Sequence, residues 1–196
     1  MTAASTTTVT RRPTGARRAY RLARHLPDRL LHRRRNRTLL RKLSESPRPK
    51  TILVVCHGNV CRSPYLQAVL QRDLPNVRVT SAGFLAGGRR VPDIARELSE
   101  KRGLDVSRFR STSLNADVVR EAELIVVMDE NQASGLATRY ADATARIVVA
   151  GDLDPIFEHT RAIRDPWNQA SEVFEEAFNR LDRCAHSLVN ALRPLR

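Results

Sequence analysis

Four short apolar runs, separated by helical stretches, limit the fold of this chain more than any other feature of its sequence. Each run is rich in β-branched residues, which is typical of strands in a parallel sheet that is buried on both faces. The predicted strands are Thr51–Val55, Val77–Ser81, Leu124–Met128 and Arg146–Val149. The predicted helices are Pro64–Leu74, Pro92–Arg102 with Gly103 as its stop, Asn131–Arg139 and a long closing helix from Ser171. The alternation predicts βαβ units and an α/β fold.

The positive charge is concentrated at one end of the chain. The 196 residues suffice for one substantial core, and the formal net charge is +13. Residues 1–50 carry 15 of the 34 Lys and Arg side chains and 2 of the 21 Asp and Glu side chains, so the rest of the chain is electrically balanced. We expect a basic arm over residues 1–49, disordered or partly helical, joined through Ser44–Lys50 to a domain over residues 50–196.

The arm permits three interpretations. Its leucines recur at roughly helical spacing from Leu22 to Leu43, so one or two basic helices are predicted, interrupted at Pro27 and Asp28. The arm is a solvated tail, a segment that weakly contacts anionic membrane or another polyanion, or an organelle transit peptide. The leucines slightly favour a membrane surface, and the lack of interleaved aromatic residues disfavours a specific nucleic-acid site.

The cysteine content and the hydropathy favour a reducing compartment. Three cysteines are too few for a disulfide scaffold, and no apolar run approaches the ~18 residues that span a bilayer. The start of the chain lacks the apolar region of a signal peptide. We therefore expect a cytoplasmic protein, with peripheral membrane contact through the arm as the alternative.

The segment Cys56-His-Gly-Asn-Val-Cys-Arg-Ser-Pro64 directly follows the first predicted strand and opens the first predicted helix. Ligands of open α/β sheets bind beyond the carboxyl ends of strands, and a helix N-terminus attracts anions. Gly58 and Asn59 tolerate left-handed backbone geometry, so successive amides can turn toward an anion. Ser63 is the expected N-cap, and Pro64 suits the first helical turn. The segment predicts an anion-binding loop.

The side chains of this loop add a nucleophile and a charge clamp. The amides and the helix dipole would stabilise a thiolate at Cys56. Arg62 can bind two oxygens of a tetrahedral oxyanion, which a lysine cannot do, and the Ser63 hydroxyl can donate to the sulfur when it leaves. Cys61 either packs as a small apolar residue or traps oxidised Cys56 as a disulfide.

The segment resembles the phosphate-binding loop of the low-molecular-weight protein tyrosine phosphatase family. Further matches are Ser81-Ala-Gly83, Val127-Met-Asp-Glu-Asn131, Gly151-Asp-Leu-Asp-Pro155 and Asp165-Pro-Trp167. The resemblance implies a small doubly wound fold: a four-stranded parallel sheet with helices on both faces, here preceded by the basic arm. It also implies hydrolysis of phosphotyrosine or a similar phosphate ester through a phosphocysteine intermediate. No cofactor and no metal are expected, because amides and Arg62 bind the anion.

The resemblance also implies residue roles. Cys56 is the nucleophile, Arg62 binds the phosphoryl oxygens, and Asp165 is the general acid, with Asp154 as the competing candidate. Trp167 lines the entrance or, alternatively, packs in the core. The remaining expected phosphate-binding residues are His57, Gly58, Asn59, Val60, Cys61 and Ser63, and Ser81 with Asn59 supports the loop.

Three departures from the family pattern concern substrate preference. The Ser-x-His-Arg found in many bacterial members reads Ser107-Arg-Phe-Arg110, so a histidine that supports the loop is absent. The segment Phe84–Arg90 lacks the Trp or Tyr that many members place against the substrate ring, and Asn168 replaces a second aromatic residue.

Three other functions fit this sequence less well than a phosphatase does. A thiol-coupled arsenate reductase needs further cysteines, and there is none between Cys61 and Cys184. Protein-arginine phosphatases carry Thr at the position of Val60. A catalytically silent phosphate-binding module is disfavoured because Cys56, Arg62 and Asp165 are all present.

Overall fold

The computed structural model describes residues 26–193, apart from the side chains of residues 26–28 and 145. Predictions that fall on residues 1–25 lie outside the described residues. The helices and strands are α1 (Leu26–Glu45), β1 (Thr51–Cys56), α2 (Arg62–Asp73), β2 (Arg78–Gly83), α3 (Asp93–Glu100), α4 (Ala116–Glu121), β3 (Leu124–Val127), α5 (Glu130–Arg139), β4 (Ile147–Val149) and α6 (Ser171–Ala191). Two 3-10 helices, Ala141–Arg146 and Ala150–Asp152, flank β4.

The four strands form one parallel sheet, as predicted, and the structure shows their order to be β2-β1-β3-β4. In the centre, Val54 pairs with Ser81 of β2 on one side and with Val126 of β3 on the other. The chain places β2 on one side of β1 and then returns to place β3 and β4 on the other side. The carboxyl end of β1 therefore lies where the winding reverses, which is where open α/β sheets bind ligands.

The two faces of the sheet are covered by different helices. Successive side chains of a strand point to opposite faces, so Ile52 and Val54 enter one core while Leu53 and Val55 enter the other. The first core contains residues of α2, α3 and α6, and the second contains residues of α4 and α5. This arrangement confirms the doubly wound α/β fold.

Helix α4 was missed in the sequence. It has six residues, and only Val119 among them is buried, so it shows no apolar periodicity. Its start is fixed by Asn115, whose Oδ1 accepts from the N–H groups of Asp117 and Val118, both at 3.0 Å. Helix α3 is shorter than the predicted Pro92–Arg102, and Gly103 follows it with a φ of +73°.

Helix α1 packs against the domain, whereas one of the three interpretations of the arm was a solvated tail. Pro27 lies in its first turn, where a missing backbone N–H costs nothing, so it does not interrupt the helix. Leu43 is buried in the same core as α6, and Leu39 and Leu40 are partly buried against that core. No helix within residues 26–193 is long and apolar enough to cross a membrane.

Two side chains of α1 hydrogen-bond to the backbone of the domain. The Nδ2 of Asn36 donates to the carbonyl of Asp152 at 2.8 Å, and Nε2 of His32 lies 2.9 Å from the carbonyl of Asp154. The prediction of a solvated tail is therefore wrong for α1, because its apolar stripe and two polar groups find partners on the domain. The boundary near residue 50 stays a prediction.

Candidate active site

The sequence predicted left-handed backbone at two positions of the loop between β1 and α2. The structure shows it at one of them. Asn59 has a φ of +51°, whereas Gly58 is not in the left-handed region. Helix α2 begins at Arg62, so Ser63 lies in its first turn and the prediction of Ser63 as the N-cap is wrong. The Ser63 hydroxyl is used by the loop instead.

Cys56 ends β1 with its sulfur facing the loop. The backbone N–H of Asn59 donates to Cys56 Sγ at 3.2 Å, and the Ser63 Oγ lies 3.0 Å from the same sulfur. Because Ser63 Oγ already accepts from the Asn59 side chain at 2.8 Å, its own proton is free for the sulfur. Two donors therefore converge on Cys56, which is 2% exposed.

The fully buried Asn59 side chain connects the loop to β2 and to the segment after α3. Its Nδ2 donates to the hydroxyls of Ser63 and Ser81, both at 2.8 Å. Its Oδ1 accepts from the N–H of Thr112 at 2.7 Å, which fixes the orientation of the amide. Ser81 in turn donates to Gln67 Oε1 at 2.6 Å. Asn59 and Ser81 thus make the contacts expected of a pair that supports the loop.

Gly83, at the end of β2, allows the loop to approach the sheet. A Cβ at this position would lie 2.8 Å from the backbone N of Asn59 and 2.9 Å from the backbone C of Gly58. Such distances are far inside van der Waals contact, so any side chain here would displace the loop. This explains why a glycine ends the Ser81-Ala-Gly83 pattern.

Arg62 and Asp165 meet beside the loop. The Nη2 of Arg62 donates to Asp165 Oδ2 at 2.5 Å, and Nη1 donates to the carbonyl of Ile163 at 2.8 Å. Arg62 is 3% exposed, and its buried Nε has no hydrogen-bond partner among the described residues. A buried N–H donor without a partner is costly, so this group is suited to an anionic ligand.

A cavity of about 190 Å³ opens over the loop. It is lined by His57, Gly58, Val60, Cys61, Arg62, Leu85, Arg89, Asp165 and Trp167. Trp167 is half-exposed at the cavity, which rules out the alternative of a core tryptophan. A larger cavity of about 710 Å³ lies between α1, α5 and β4 and contains none of the predicted site residues.

The two loop cysteines differ in character. Burial, together with the charges of Cys56 and Asp165, raises the pKa of Cys61 to about 12. Cys61 is therefore a protonated thiol at neutral pH, which leaves Cys56 as the candidate nucleophile of the loop. All three cysteines are buried and free of disulfides.

Asp154, the competing candidate for the general acid, is not at the cavity. Its carboxylate is 0% exposed and accepts from Arg180 and from Arg183. Burial raises the pKa of Asp154, but the hydrogen bonds from Arg183 and Ile156 N–H and the two guanidinium charges outweigh burial and lower it. Asp154 is therefore a buried structural carboxylate.

Four contributors to the site were missed in the sequence. They are Gln67, Leu85, Arg89 and the backbone of Thr112. Gln67 lies four residues after Ser63 on the same helix face, a spacing that could have indicated it. The other three come from loops whose approach to Asn59 and Gly58 has no local sequence signal.

The described residues include no group of three or more His, Cys, Asp or Glu side chains placed to hold a metal ion.

Comparisons with known proteins agree with the geometry. A profile of the family described as low molecular weight phosphotyrosine protein phosphatase matches residues 51–194. The probable low molecular weight protein-tyrosine-phosphatase EpsP of Ralstonia nicotianae is 37% identical over 147 residues, which cover 74% of this chain and 98% of that protein. Helix α1 thus lies outside the family match.

Solved structures show the same fold. The Wzb protein of Vibrio vulnificus, in complex with benzylphosphonate, is 30% identical with a TM-score of 0.66, over 72% of this chain and 98% of that one. The YwlE arginine phosphatase of Geobacillus stearothermophilus is 27% identical with a TM-score of 0.66, over 72% of this chain and 92% of that one.

Proposed function

The chain belongs to the low molecular weight phosphotyrosine protein phosphatase family, and from this premise we propose that Cys56, Arg62 and Asp165 carry out the reaction. It is a cysteine-dependent, metal-independent phosphatase that hydrolyses phosphotyrosine or a similar phosphate ester through a phosphocysteine intermediate.

In the first step the Cys56 thiolate attacks phosphorus. The Sγ–P bond forms while the bond from phosphorus to the ester oxygen breaks, and Asp165 gives its proton to the leaving oxygen. Arg62 clamps the phosphoryl oxygens with its free Nε–H and with the Nη2–H that bonds Asp165 before substrate binds. The carbonyl of Ile163 keeps the guanidinium in place through Nη1.

In the second step water hydrolyses the phosphocysteine. Asp165, now a carboxylate, removes a proton from the attacking water, and the Sγ–P bond breaks to return the thiolate. The Ser63 hydroxyl, 3.0 Å from Sγ, and the Asn59 N–H, 3.2 Å from it, stabilise that thiolate as it leaves. Inorganic phosphate is the second product.

The convergence of two donors on Cys56 is the observation that carries the proposal. A buried cysteine that merely packed would not need the Asn59 N–H and a hydroxyl polarised by the Asn59 amide. The half-exposed Trp167 and Leu85 add apolar walls to the cavity, which favours an aryl phosphate such as a phosphotyrosine side chain of a protein.

Hydrolysis of p-nitrophenyl phosphate by the full chain tests the proposal. We expect Cys56→Ser to abolish turnover, EDTA to leave it unchanged, and benzylphosphonate and vanadate to inhibit it competitively. Asp165→Asn should slow phenyl phosphate far more than p-nitrophenyl phosphate, because only the poor leaving group needs the proton. Equal slowing of both esters would remove Asp165 from the role of acid.

Two further substrates separate the alternatives. Val60 lies in the cavity wall and offers no hydroxyl to a guanidinium, so a phosphotyrosine peptide should be hydrolysed far faster than a phosphoarginine peptide. Arsenate should inhibit competitively and should not be reduced in the presence of thiols, since buried Cys184 does not line the cavity. The opposite result with either substrate would reassign the reaction.

We further propose that α1 makes electrostatic contact with an anionic membrane surface. Six of its basic side chains have no ion-pair partner among the described residues: Arg33, Arg34, Arg35, Arg37, Arg41 and Lys42. The domain covers Leu39, Leu40 and Leu43, so among the leucines of this helix whose side chains the structure describes, only Leu30 and Leu31 stay exposed. The contact therefore depends on charge rather than on insertion of leucines.

Sedimentation with vesicles tests this second proposal. The full chain should bind phosphatidylserine vesicles at low salt, release them at high salt, and ignore phosphatidylcholine vesicles. The triple variant Arg33→Gln, Arg37→Gln, Arg41→Gln should lose binding. The matched control changes three exposed arginines elsewhere: Arg90, Arg108 and Arg139 to Gln. Equal losses in the two triple variants would refute a specific role of α1.

A further inference from the structure

Arg89 contacts the phosphate-binding loop from outside the loop sequence. Its Nη2 donates to the carbonyl of Gly58 at 2.5 Å. The next backbone N–H, that of Asn59, donates to Cys56 Sγ. We infer that Arg89 is a positioning residue, which fixes the peptide between Gly58 and Asn59 so that its N–H faces the nucleophile. The inference rests on the proposed role of Cys56.

The geometry of a peptide unit connects the two hydrogen bonds. The C=O and the N–H of a trans peptide point in opposite directions, since the unit is planar. When Arg89 holds the Gly58 carbonyl outward, the Asn59 N–H must point inward to the sulfur. Rotation of this unit would remove one of the two donors that converge on Cys56.

No other side chain among the described residues hydrogen-bonds to the Gly58 carbonyl. Gly83 touches this peptide from behind but carries no side chain that could hold the carbonyl. Gly58 itself makes room for the guanidinium, because a Cβ there would lie 3.2 Å from Arg89 Nη2. A side chain at position 58 would therefore crowd Arg89, although the φ of Gly58 is not left-handed.

Arg89 is held in turn by the segment that supports Asn59. The N–H of Arg89 donates to Ser111 Oγ at 3.0 Å, and the N–H of Ser111 donates to the Arg89 carbonyl at 2.9 Å. The neighbouring Thr112 N–H binds Asn59 Oδ1. One short segment thus anchors both the side chain of Asn59 and the residue that orients its N–H.

Arg89 also keeps its charge uncompensated. None of the carboxylates within residues 29–193 forms an ion pair with it, in contrast to Arg62 beside Asp165. Without a competing acid, the guanidinium remains available to the Gly58 carbonyl. Arg90, the next residue, is exposed and does not line the cavity, so it serves as a matched control of equal charge.

The test compares Arg89→Met, Arg89→Lys and Arg90→Met in the full chain. We expect Arg89→Met to lower kcat on p-nitrophenyl phosphate on the order of tenfold, less than loss of a direct donor to the reacting group. Arg89→Lys, which retains a charged donor, should recover most of kcat, and Arg90→Met should match the wild type. Vanadate should bind Arg89→Met more weakly.

The NMR signal of the Asn59 amide gives a readout that does not depend on turnover. It should shift in Arg89→Met, return toward the wild-type position in Arg89→Lys, and stay in place in Arg90→Met. The inference is overturned if the amide does not move, if only KM rises, or if only the melting temperature falls. Lack of hydrolysis by the wild type would refute the proposed function, while the amide shift would still decide the role of Arg89.

Discussion

Replacement of Asp154 by Asn distinguishes a structural carboxylate from the proposed general acid, Asp165. The carboxylate of Asp154 is fully buried and accepts four hydrogen bonds. They come from Arg180 Nε at 3.0 Å, from Arg183 Nε and Nη2 at 2.9 Å, and from the Ile156 N–H at 3.0 Å. An amide keeps one acceptor oxygen and turns two donors toward the guanidinium groups.

The expected loss of stability follows from these contacts. The amide of the variant would lose the two bonds of one oxygen, at roughly 1.5–3 kcal/mol for each hydrogen bond to a charged group. It would also leave the guanidinium of Arg180, 6% exposed, without a counter-charge. Removing one partner of a buried pair typically costs about 3–5 kcal/mol. For a chain of this size that lowers the melting temperature by about 6–20 °C.

The effect on turnover should be small and uniform. Arg180 also donates to the carbonyls of Thr160 and Ala162, beside the segment that carries Ile163 and Asp165. Loosening this segment should slow p-nitrophenyl phosphate and phenyl phosphate by the same modest factor. Asp165→Asn should show a strong dependence on the leaving group and a smaller fall in melting temperature than Asp154→Asn, because the Asp165 side chain is 44% exposed whereas that of Asp154 is fully buried.

The stability difference should depend on pH. Because the pKa of folded Asp154 is lowered, its contribution is complete above the pKa of about 3.9 in the unfolded chain. It is lost as the pH falls through the lower pKa of the folded state. The gap in melting temperature between the wild type and Asp154→Asn should therefore narrow below about pH 4. A gap that is absent at neutral pH, or that widens in acid, would refute this account of Asp154.

Three other predictions follow from the site and from α1. Arg62→Lys should lower kcat/KM on p-nitrophenyl phosphate by about 10²-fold or more, because a point charge cannot clamp two oxygens; near-normal kinetics would contradict this. After peroxide treatment, the wild type should recover with dithiothreitol more fully than Cys61→Ser, and disulfide trapping should accelerate as pH rises toward the raised pKa of Cys61; equal recovery would show that Cys61 protects nothing. Removal of residues 1–49 should lower the melting temperature, because the carbonyls of Asp152 and Asp154 lose donors from α1. Below its melting temperature, the shortened protein should have the same kcat on p-nitrophenyl phosphate as the full chain. A lower kcat in a folded sample of the shortened protein would contradict this.

The sequence by itself determined the sheet, the loop and the reactive side chains that the loop contains. The β-branched runs specify buried parallel strands, because a strand that is covered by helices on both faces is apolar at nearly every position and does not alternate with polar residues. The order of Cys56, Gly58, Asn59, Arg62 and Ser63 is local, and a loop between a strand and a helix has few backbone solutions. Local order therefore determines where the loop lies and which side chains it contains.

The tertiary structure decided what depends on approach between distant segments. Arg89 reaches Gly58 only because Ser111 positions it, and Asp154 is structural only because Arg180 and Arg183 of α6 enclose it. Neither contact has a sequence spacing that predicts it.

The fate of α1 was likewise decided by the tertiary structure. Its leucines and arginines fit a membrane-surface helix and a docked helix equally well, since amphipathic periodicity does not name the apolar partner. The carbonyls of Asp152 and Asp154 and the core beside α6 supply that partner. A sequence pattern specifies which face of a helix must be covered, but only the packed chain specifies what covers it.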